Sequence, residues 1–280
     1  MAVSCSDFEF VRKLVHEHSS IALSNGKEYL VEARLGPVAQ REGLESVADL
    51  VAILRKGDAR LRDDVLHAMA THETSFFRDV HPFDALRQTI IPEVLLSNGG
   101  RRLSMWSCAA STGQEAYSLA LVVREHFPTI ANLTILATDL SRDVLSRAAD
   151  GRFSQLEVNR GLPAPLLVKY FERDGREWVL KPAVRSMVTF SALNLARPLV
   201  GVPLMDVVFL RNVMIYFDGP AKATLLKGVA QILRPGGYLI LGGAETTYGI
   251  DDSYERVMVG KTACYRLTPT DGVVRVDDRG

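Results

Sequence analysis

The sequence Arg102-Leu-Ser-Met-Trp-Ser-Cys108 runs directly into Ala-Ala-Ser-Thr-Gly at residues 109–113, and these twelve residues are the strongest indication of the fold. The first part is an apolar run that predicts a buried strand, and the second is a loop of small residues. A helical pattern follows through Ala116, Leu119 and Val123. Small residues let a backbone approach a ligand, and a helix N-terminus offers unpaired N–H groups to an anion. The stretch predicts either a ligand-binding turn or a plain tight connection between strand and helix.

Further apolar runs downstream predict more buried strands, at residues 133–139, 187–193, 205–210 and 238–241. One of the helical patterns between them covers about residues 220–233 and ends at Arg-Pro-Gly-Gly, residues 234–237, which we expect to form a turn. Strands that alternate with helices predict an α/β fold with an open, mostly parallel sheet covered on both faces. In such sheets a ligand binds at the carboxyl ends of the strands.

The rest of the chain predicts three further parts. Apolar residues recur at helical spacing from residue 7 to about residue 70, and the turn signals at residues 24–26 and at Gly36-Pro37 are expected to separate helices. Trp-Val-Leu at residues 178–180 predicts a small inserted hairpin. The expected division is a helical N-terminal domain, a sheet domain with its insertion, and a disordered tail, at residues 1–80, 81–270 (insertion about 155–186) and 271–280.

Composition excludes several classes of protein. Lys plus Arg equals Asp plus Glu at 33 each, so we expect no nucleic-acid partner and no membrane-surface binding driven by charge. The three cysteines form no C-x-x-C pair and have no histidine cluster nearby, and His72 lacks a second ligand at metal spacing, so no metal site is expected. The N-terminus lacks the features of a signal peptide, and no apolar run is long enough for a membrane span. These features predict a cytoplasmic protein without membrane insertion.

Asp139 ends the second predicted strand. An acidic residue in this place can accept hydrogen bonds from the ribose hydroxyls of a nucleoside bound over the first loop, although it could instead cap the following helix. The loop has neither the Gly-Lys-Ser/Thr of a P-loop nor a G-x-G-x-x-G pattern. Because no phosphate-binding signature is present, the sequence favours a nucleoside cofactor without phosphates, such as S-adenosylmethionine.

Four segments together resemble the CheR family of protein-glutamate methyltransferases. They are Glu73-Thr-Ser-Phe-Phe-Arg-Asp79, Trp106-Ser-Cys-Ala-Ala-Ser-Thr-Gly-Gln-Glu-Ala-Tyr-Ser118, Ala137-Thr-Asp-Leu140 and Arg211-Asn-Val-Met-Ile-Tyr-Phe-Asp218. The last reads as the family signature without change. The resemblance implies a Rossmann-like methyltransferase sheet domain, a small all-helical N-terminal domain and an inserted antiparallel β-subdomain.

The resemblance also implies the activity. The expected reaction is S-adenosylmethionine-dependent methylation of glutamate side-chain carboxylates on the cytoplasmic helices of a chemoreceptor, which leaves S-adenosylhomocysteine and serves adaptation in chemotaxis. A carboxylate is already ionised at neutral pH, so no strong general base is needed. Two alternatives stay open: a catalytically weak signalling module that binds S-adenosylmethionine without turnover, and a methyltransferase for a small carboxylate.

Site residues carry over from the resemblance by position. Arg78 and Tyr216 are the expected catalytic residues, although Tyr216 could instead pack against the sheet. Before the family is considered, Glu115 could equally be a first-turn residue that interacts with the helix dipole. The expected cofactor-binding residues are His72, Thr74, Arg78, Glu115, Asp139, Asn194, Leu195, Arg211 and Asn212.

The sequence departs from the family pattern at three places. His72 stands where the family usually has asparagine, and Gly243 and Ala244 replace a histidine and a serine. The inserted hairpin has a compact turn at residues 173–176, whereas relatives that bind a receptor's C-terminal peptide have a longer loop there. The short turn predicts that this protein does not need a receptor C-terminal pentapeptide.

Overall fold

The computed structural model describes residues 3–100 and 102–268. It contains a bundle of helices, a seven-stranded sheet flanked by helices and a separate three-stranded sheet. This architecture confirms the predicted fold class. Within the described ranges, every helix is too short or too polar to cross a membrane.

The N-terminal bundle is built from amphipathic helices whose apolar faces form a shared core. Ser46 and Asp58 cap the third and fourth helices by accepting backbone N–H groups of Asp49 and Leu61. The helices are α1 (Cys5–Ser19), α2 (Glu28–Arg41), α3 (Val47–Leu54) and α4 (Ala59–Met69).

The Gly36-Pro37 pair was predicted to separate helices, and this prediction was wrong. Both residues lie inside α2, which continues through Pro37 to Arg41. A proline inside a helix removes one backbone hydrogen bond. Leu35 and Val38, on either side of the pair, are buried in the bundle core, and we attribute the continuity of the helix to this packing.

A connecting segment leads from the bundle to the main sheet. It contains α5 (His81–Ala85), a π-helical turn over Leu86–Ile90 and α6 (Ile91–Ser97). Phe76 lies in the loop before α5 and is fully buried, with its ring 4.9 Å from that of Phe153 in an edge-to-face contact. Phe77 is only partly buried.

The main sheet has the strand order β6-β2-β1-β7-β8-β10-β9. The first five strands in this order pair in parallel, and β10 pairs antiparallel with β8 and β9. The hairpin of β9 and β10 was not predicted. The strands are β1 (Arg102–Cys108), β2 (Asn132–Asp139), β6 (Val188–Ala192), β7 (Met205–Leu210), β8 (Leu233–Leu241), β9 (Tyr254–Val259) and β10 (Thr262–Leu267).

Helices cover both faces of this sheet, because alternate residues of a strand point to opposite faces. Val207 and Phe209 share one core with α7, whereas Val208 and Leu210 share the other core with α12. The helices of the sheet domain are α7 (Gln114–His126), α8 (Arg142–Asp150) and α12 (Gly219–Ile232).

Residues 234–237 do not form the predicted turn. Helix α12 ends at Ile232 and β8 begins at once at Leu233, which pairs with Met205 of β7. The pairing then shifts so that Val207 faces Tyr238. The Arg-Pro-Gly-Gly sequence therefore forms an irregularity within the strand, where Gly236 has a φ of +76°.

The inserted subdomain is an antiparallel sheet in the order β3-β5-β4. Its first strand lies just before the expected range of residues 155–186. The elements are β3 (Arg152–Ser154), α9 (Gln155–Asn159), α10 (Ala164–Tyr170), β4 (Phe171–Asp174), β5 (Glu177–Leu180) and α11 (Pro182–Arg185). The tail predicted at residues 271–280 lies outside the described residues.

Candidate active site

A cleft opens at the carboxyl ends of β1, β2, β6 and β7, where the helical bundle covers the sheet. It encloses about 710 Å³, part of it open to solvent. The residues that line it come from the bundle, from the connecting segment and from the four loops that follow these strands. They are Ser19, Ile21, Ala70, Thr71, His72, Glu73, Ala109, Ser111, Asp139, Leu140, Leu193, Asn194, Leu195, Arg211, Asn212, Val213, Tyr216 and Phe217.

The loop after β1 has an unusual backbone conformation. Ala109 and Ser111 have φ values of 52° and 51°, in the left-handed region that residues with a Cβ rarely adopt. Gly113 follows at 94°, and a Cβ there would lie 3.0 Å from the Cβ of Ala148. Such strain persists only where surrounding contacts determine the backbone. The surrounding structure therefore fixes the backbone of this loop where it lines the cleft.

Asp139 joins this loop to the end of β2. Its carboxylate accepts the N–H of Ser111 at 2.9 Å and the N–H of Ser141 at 3.0 Å. Ser141, not Asp139, is the N-cap of α8, because its side chain accepts the N–H of Val144. A carboxylate has about four acceptor positions, so Asp139 retains capacity toward a ligand hydroxyl. Its place in the cleft suits the predicted contact with ribose.

The loop after β7 is held by one carboxylate. Glu245 accepts the backbone N–H groups of Asn212, Val213 and Ile215 at 2.7, 2.9 and 3.2 Å, and that of Gly242 at 2.7 Å. Asn212 has a φ of 57°. No role for Glu245 follows from the sequence alone, although its segment resembles the family. Glu245 sets the backbone path of the signature loop.

A buried charge network lies around Arg211, whose side chain is 1% exposed. Its guanidinium pairs with Glu115 at 2.9 Å and with Asp79 at 2.6 Å, and it donates to the carbonyl of Arg78. Ser107 Oγ donates to the other oxygen of Glu115 at 2.8 Å. Burial raises the pKa of Glu115, and the charge of Arg211 and its hydrogen bonds offset part of this effect.

The structure brings most of the predicted site residues to the cleft. His72, Asp139, Asn194, Leu195, Arg211, Asn212 and Tyr216 line it. Thr74, Arg78 and Glu115 do not line the cleft. Glu115 lies behind Arg211, and Arg78 donates to the carbonyl of Glu73 at 3.1 Å. The Nε2 of His72 lies 3.2 Å from the carbonyl oxygen of His67.

The helical bundle contributes residues to the cleft that the sequence did not predict. Ser19 and Ile21 line it, and Ile21 forms an isolated antiparallel bridge with Phe217. Asn194 Nδ2 donates to the carbonyl of His18 at 2.6 Å. Residues about 200 positions apart in the chain meet here, so no local pattern could have indicated them. Tyr216 belongs to the same junction, because its carbonyl accepts the N–H of Ala22.

The side chains of the cleft suit S-adenosylmethionine. Leu140, Leu193 and Leu195 supply apolar surface for a purine ring, and Asp139 supplies an acceptor for ribose. Among the described lining residues, Arg211 is the sole Arg or Lys, and two carboxylates already pair with it. A site built for phosphates would offer unpaired cations or a glycine-rich nest. The lining fits a nucleoside that carries no phosphate.

Comparisons with known proteins agree with this geometry. The family model described as "CheR methyltransferase, SAM binding domain" matches residues 72–263, and the model described as "CheR methyltransferase, all-alpha domain" matches residues 6–70. Chemotaxis protein methyltransferase 1 of Pseudomonas aeruginosa is 39% identical over 272 residues, which cover 95% of this chain and 99% of that protein.

Two further relatives align over the same share of the chain. Chemotaxis protein methyltransferase Cher2 of Pseudomonas putida is 37% identical over 273 residues, and a chemotaxis protein methyltransferase of Vibrio anguillarum is 35% identical over 278 residues. Each alignment covers 95% of this chain and 99% of the relative. The cofactor is S-adenosylmethionine. With both of its domains matched and its cleft suited to that cofactor, the chain belongs to the CheR methyltransferase family.

Proposed function

We propose that this protein methylates glutamate side-chain carboxylates on the cytoplasmic helices of a chemoreceptor, in the cytoplasm, as part of adaptation in chemotaxis. The observation that carries the proposal is the position of Arg211. This buried guanidinium lies in the wall of the cofactor cleft and within the unchanged family signature of residues 211–218. The names of the relatives support the same pathway.

The residues proposed to hold the cofactor surround the cleft. Asp139 would accept from the ribose, Leu195 would contact the purine ring, and Asn194 and Asn212 offer amide groups at the rim. His72, in the segment between α4 and α5, lines the same cleft. Thr74 and Glu115 do not line the cleft. Thr74 stays a proposed cofactor contact, and Glu115 would act on the cofactor site through its ion pair with Arg211.

The reaction needs little acid–base chemistry from the protein. When bound, S-adenosylmethionine would supply an electrophilic methyl group to the carboxylate and leave as a neutral thioether, a transfer that balances without any proton moving. The chain would contribute orientation and exclusion of water. Arg211 and residues of the helical bundle both line the cleft, and this enclosure would reduce the access of water to the reacting groups.

Arg78 and Tyr216 are the residues proposed to meet the substrate. Among the described residues, the Arg78 guanidinium makes one hydrogen bond, to the Glu73 carbonyl. Its remaining N–H groups would form the planar fork that suits a carboxylate. Tyr216 is half-buried at the edge of the cleft, where its ring would border the incoming glutamate.

The direct test is methyl transfer from radiolabelled S-adenosylmethionine to a chemoreceptor cytoplasmic fragment. Wild-type protein should produce methyl esters that are released by alkali. Cofactor binding without label on any receptor fragment would favour the catalytically weak signalling module, and label on a small carboxylate alone would favour a methyltransferase for small carboxylates. Arg78→Lys keeps the charge but removes the fork, and because Arg78 is proposed to contact both substrate and cofactor, it should lower kcat and raise the Kd for S-adenosylhomocysteine.

We also propose that methylation does not require a receptor C-terminal pentapeptide. The hairpin of β4 and β5 is closed by Gly175 and Arg176 alone, and this two-residue turn adds no loop to hold a peptide. Titration of the protein with a receptor pentapeptide in a calorimeter should give no heat of binding. Tight binding would refute this part of the proposal.

A further inference from the structure

A second cleft lies beside the first, over the carboxyl ends of β7 and β8 and the start of β10. It encloses about 940 Å³, part of it open to solvent. Its lining comes from the connecting segment, from the loop after β8 and from the hairpin of β9 and β10. The residues are Asp79, His81, Pro82, Arg211, Leu241, Gly242, Gly243, Glu245, Thr246, Arg256, Lys261, Thr262, Ala263 and Tyr265.

Arg211 is common to both clefts and forms the wall between them. Its Nη groups are engaged by Asp79 and Glu115, but its Nε, although buried, has no hydrogen-bond partner among the described residues. A buried donor without a partner costs free energy, which a ligand acceptor would recover. The second cleft therefore reaches the same guanidinium that borders the cofactor.

The unpaired charge in the second cleft is positive. Of its two carboxylates, Asp79 pairs with Arg211, and Glu245 is surrounded by backbone N–H groups. Arg256 and Lys261 are exposed and have no acidic partner within the described ranges. Since opposite charges steer association, this cleft favours a segment that carries carboxylates.

Two exposed apolar side chains lie close in the chain to other lining residues of this cleft. Val80 is 56% exposed, beside the lining residues Asp79 and His81, and Tyr248 is 89% exposed, two residues after Thr246. Large apolar residues at such exposure are typical of contact surfaces when they occur together with a polar rim. The second cleft combines a basic lining with an apolar margin.

We propose that the second cleft receives the acidic helical segment of the protein substrate and brings its glutamate to Arg211. This inference rests on the proposed glutamate methylation and adds the place where the substrate docks. Gly243 leaves the cleft open, because a Cβ at this position would meet no atom within 4 Å. The docking surface thus lies on the sheet domain next to the cofactor cleft, and Arg211, which lines both clefts, marks where the glutamate side chain would pass from one to the other.

The first test reverses charge in the second cleft. The double variant Arg256→Glu/Lys261→Glu should raise the KM for a chemoreceptor cytoplasmic fragment at least about tenfold and weaken its dependence on salt, because the steering charge is reversed. Its Kd for S-adenosylhomocysteine should match that of the wild type. The control is Arg124→Glu/Lys227→Glu, which makes the same change in charge at exposed residues that line neither cleft.

The second test blocks the cleft by size. Gly243→Trp should abolish receptor methylation while cofactor binding is retained, and Gly219→Trp, at another exposed glycine with open space around its Cβ, is the matched control. If both cleft variants methylate the receptor with the wild-type KM, docking in this cleft is wrong. If the wild-type protein itself transfers no methyl group to any receptor fragment, the proposed function fails instead.

Discussion

The Asp139 carboxylate accepts hydrogen bonds from two loops at once, through Ser111 and Ser141. Asp139→Asn replaces one acceptor oxygen with a donor and removes the charge. We expect it to weaken S-adenosylhomocysteine binding by about 1.5–3 kcal/mol, the typical contribution of a hydrogen bond to a charged group. Isothermal titration calorimetry measures this change.

Asp206 provides the matched control for that measurement. It is also a buried aspartate that accepts a backbone N–H, from Ser104 at 2.8 Å, but it lies at the start of β7 and lines neither cleft. Asp206→Asn should leave the cofactor affinity unchanged. An equal loss of affinity in both variants would mean that general loosening of the sheet, not the ribose contact, explains the effect.

Glu245 permits a second prediction at the scale of one residue. Glu245→Gln places an amide N–H₂ against backbone donors that the carboxylate now satisfies. The free energy of unfolding should fall by about 1–3 kcal/mol, because at least one donor loses its partner. Urea denaturation checks this, with Glu255→Gln on the exposed face of β9 as a control expected to change stability by less than about 0.5 kcal/mol.

At the scale of elements, Gly161 marks the closest approach between the inserted subdomain and the connecting segment. Its φ is +90°, and a Cβ would lie 2.0 Å from the carbonyl oxygen of Phe76. Gly161→Ala should therefore lower the free energy of unfolding by more than about 3 kcal/mol, since the backbone must move in addition to adopting a disfavoured φ.

Gly175 separates these two contributions. It also has a positive φ, +59°, but no atom lies within 4 Å of its Cβ position. Gly175→Ala should cost only about 1–2 kcal/mol, the typical penalty for a left-handed residue with a side chain. Equal losses in the two variants by urea denaturation would show that the contact with Phe76 contributes nothing.

The elements that the sequence predicted are those with local signals. The unit of β1, its loop and α7 follows from apolar spacing within about two dozen residues, and so do β2 and β7. Pro37 misled the prediction because bundle packing, which is not local, outweighs a lost hydrogen bond. The hairpin of β9 and β10 was missed because its strands depend on pairing with β8.

The residues of the candidate site likewise fall into those that the sequence indicates and those that only the fold brings together. Asp139 and the loop before α7 could be found from residue types and order, and Arg211, Asn212 and Tyr216 from the resemblance. Ser19 and Ile21 carry no signal, because only the packing of the bundle on the sheet brings them to the cleft. The part of the cleft that the bundle supplies therefore depends on tertiary packing and cannot be predicted from local sequence.

At the scale of the whole molecule, the cofactor cleft joins the bundle to the sheet domain. A ligand that contacts both should stabilise both. S-adenosylhomocysteine at about one hundred times its Kd should raise the free energy of unfolding by about 2.7 kcal/mol. Hydrogen exchange should slow at Ala22 and at Ser111, on the two sides of the cleft, and remain unchanged in the β4–β5 hairpin. Slowing confined to the sheet domain would contradict a shared site.

The wall that Arg211 forms between two clefts has a thermodynamic consequence. Asp79, which lines the second cleft, and Glu115, which lies behind Arg211, hold the same guanidinium. A ligand that binds this guanidinium from one cleft therefore changes the charge and the hydrogen-bond donors that the other cleft offers. Thermodynamic reciprocity then requires that the cofactor and the acidic segment change each other's affinity by the same factor. The corresponding coupling free energy is typically about 1–3 kcal/mol. Titrating each ligand with and without the other measures the coupling free energy in both directions, and we expect Arg211 to carry this coupling.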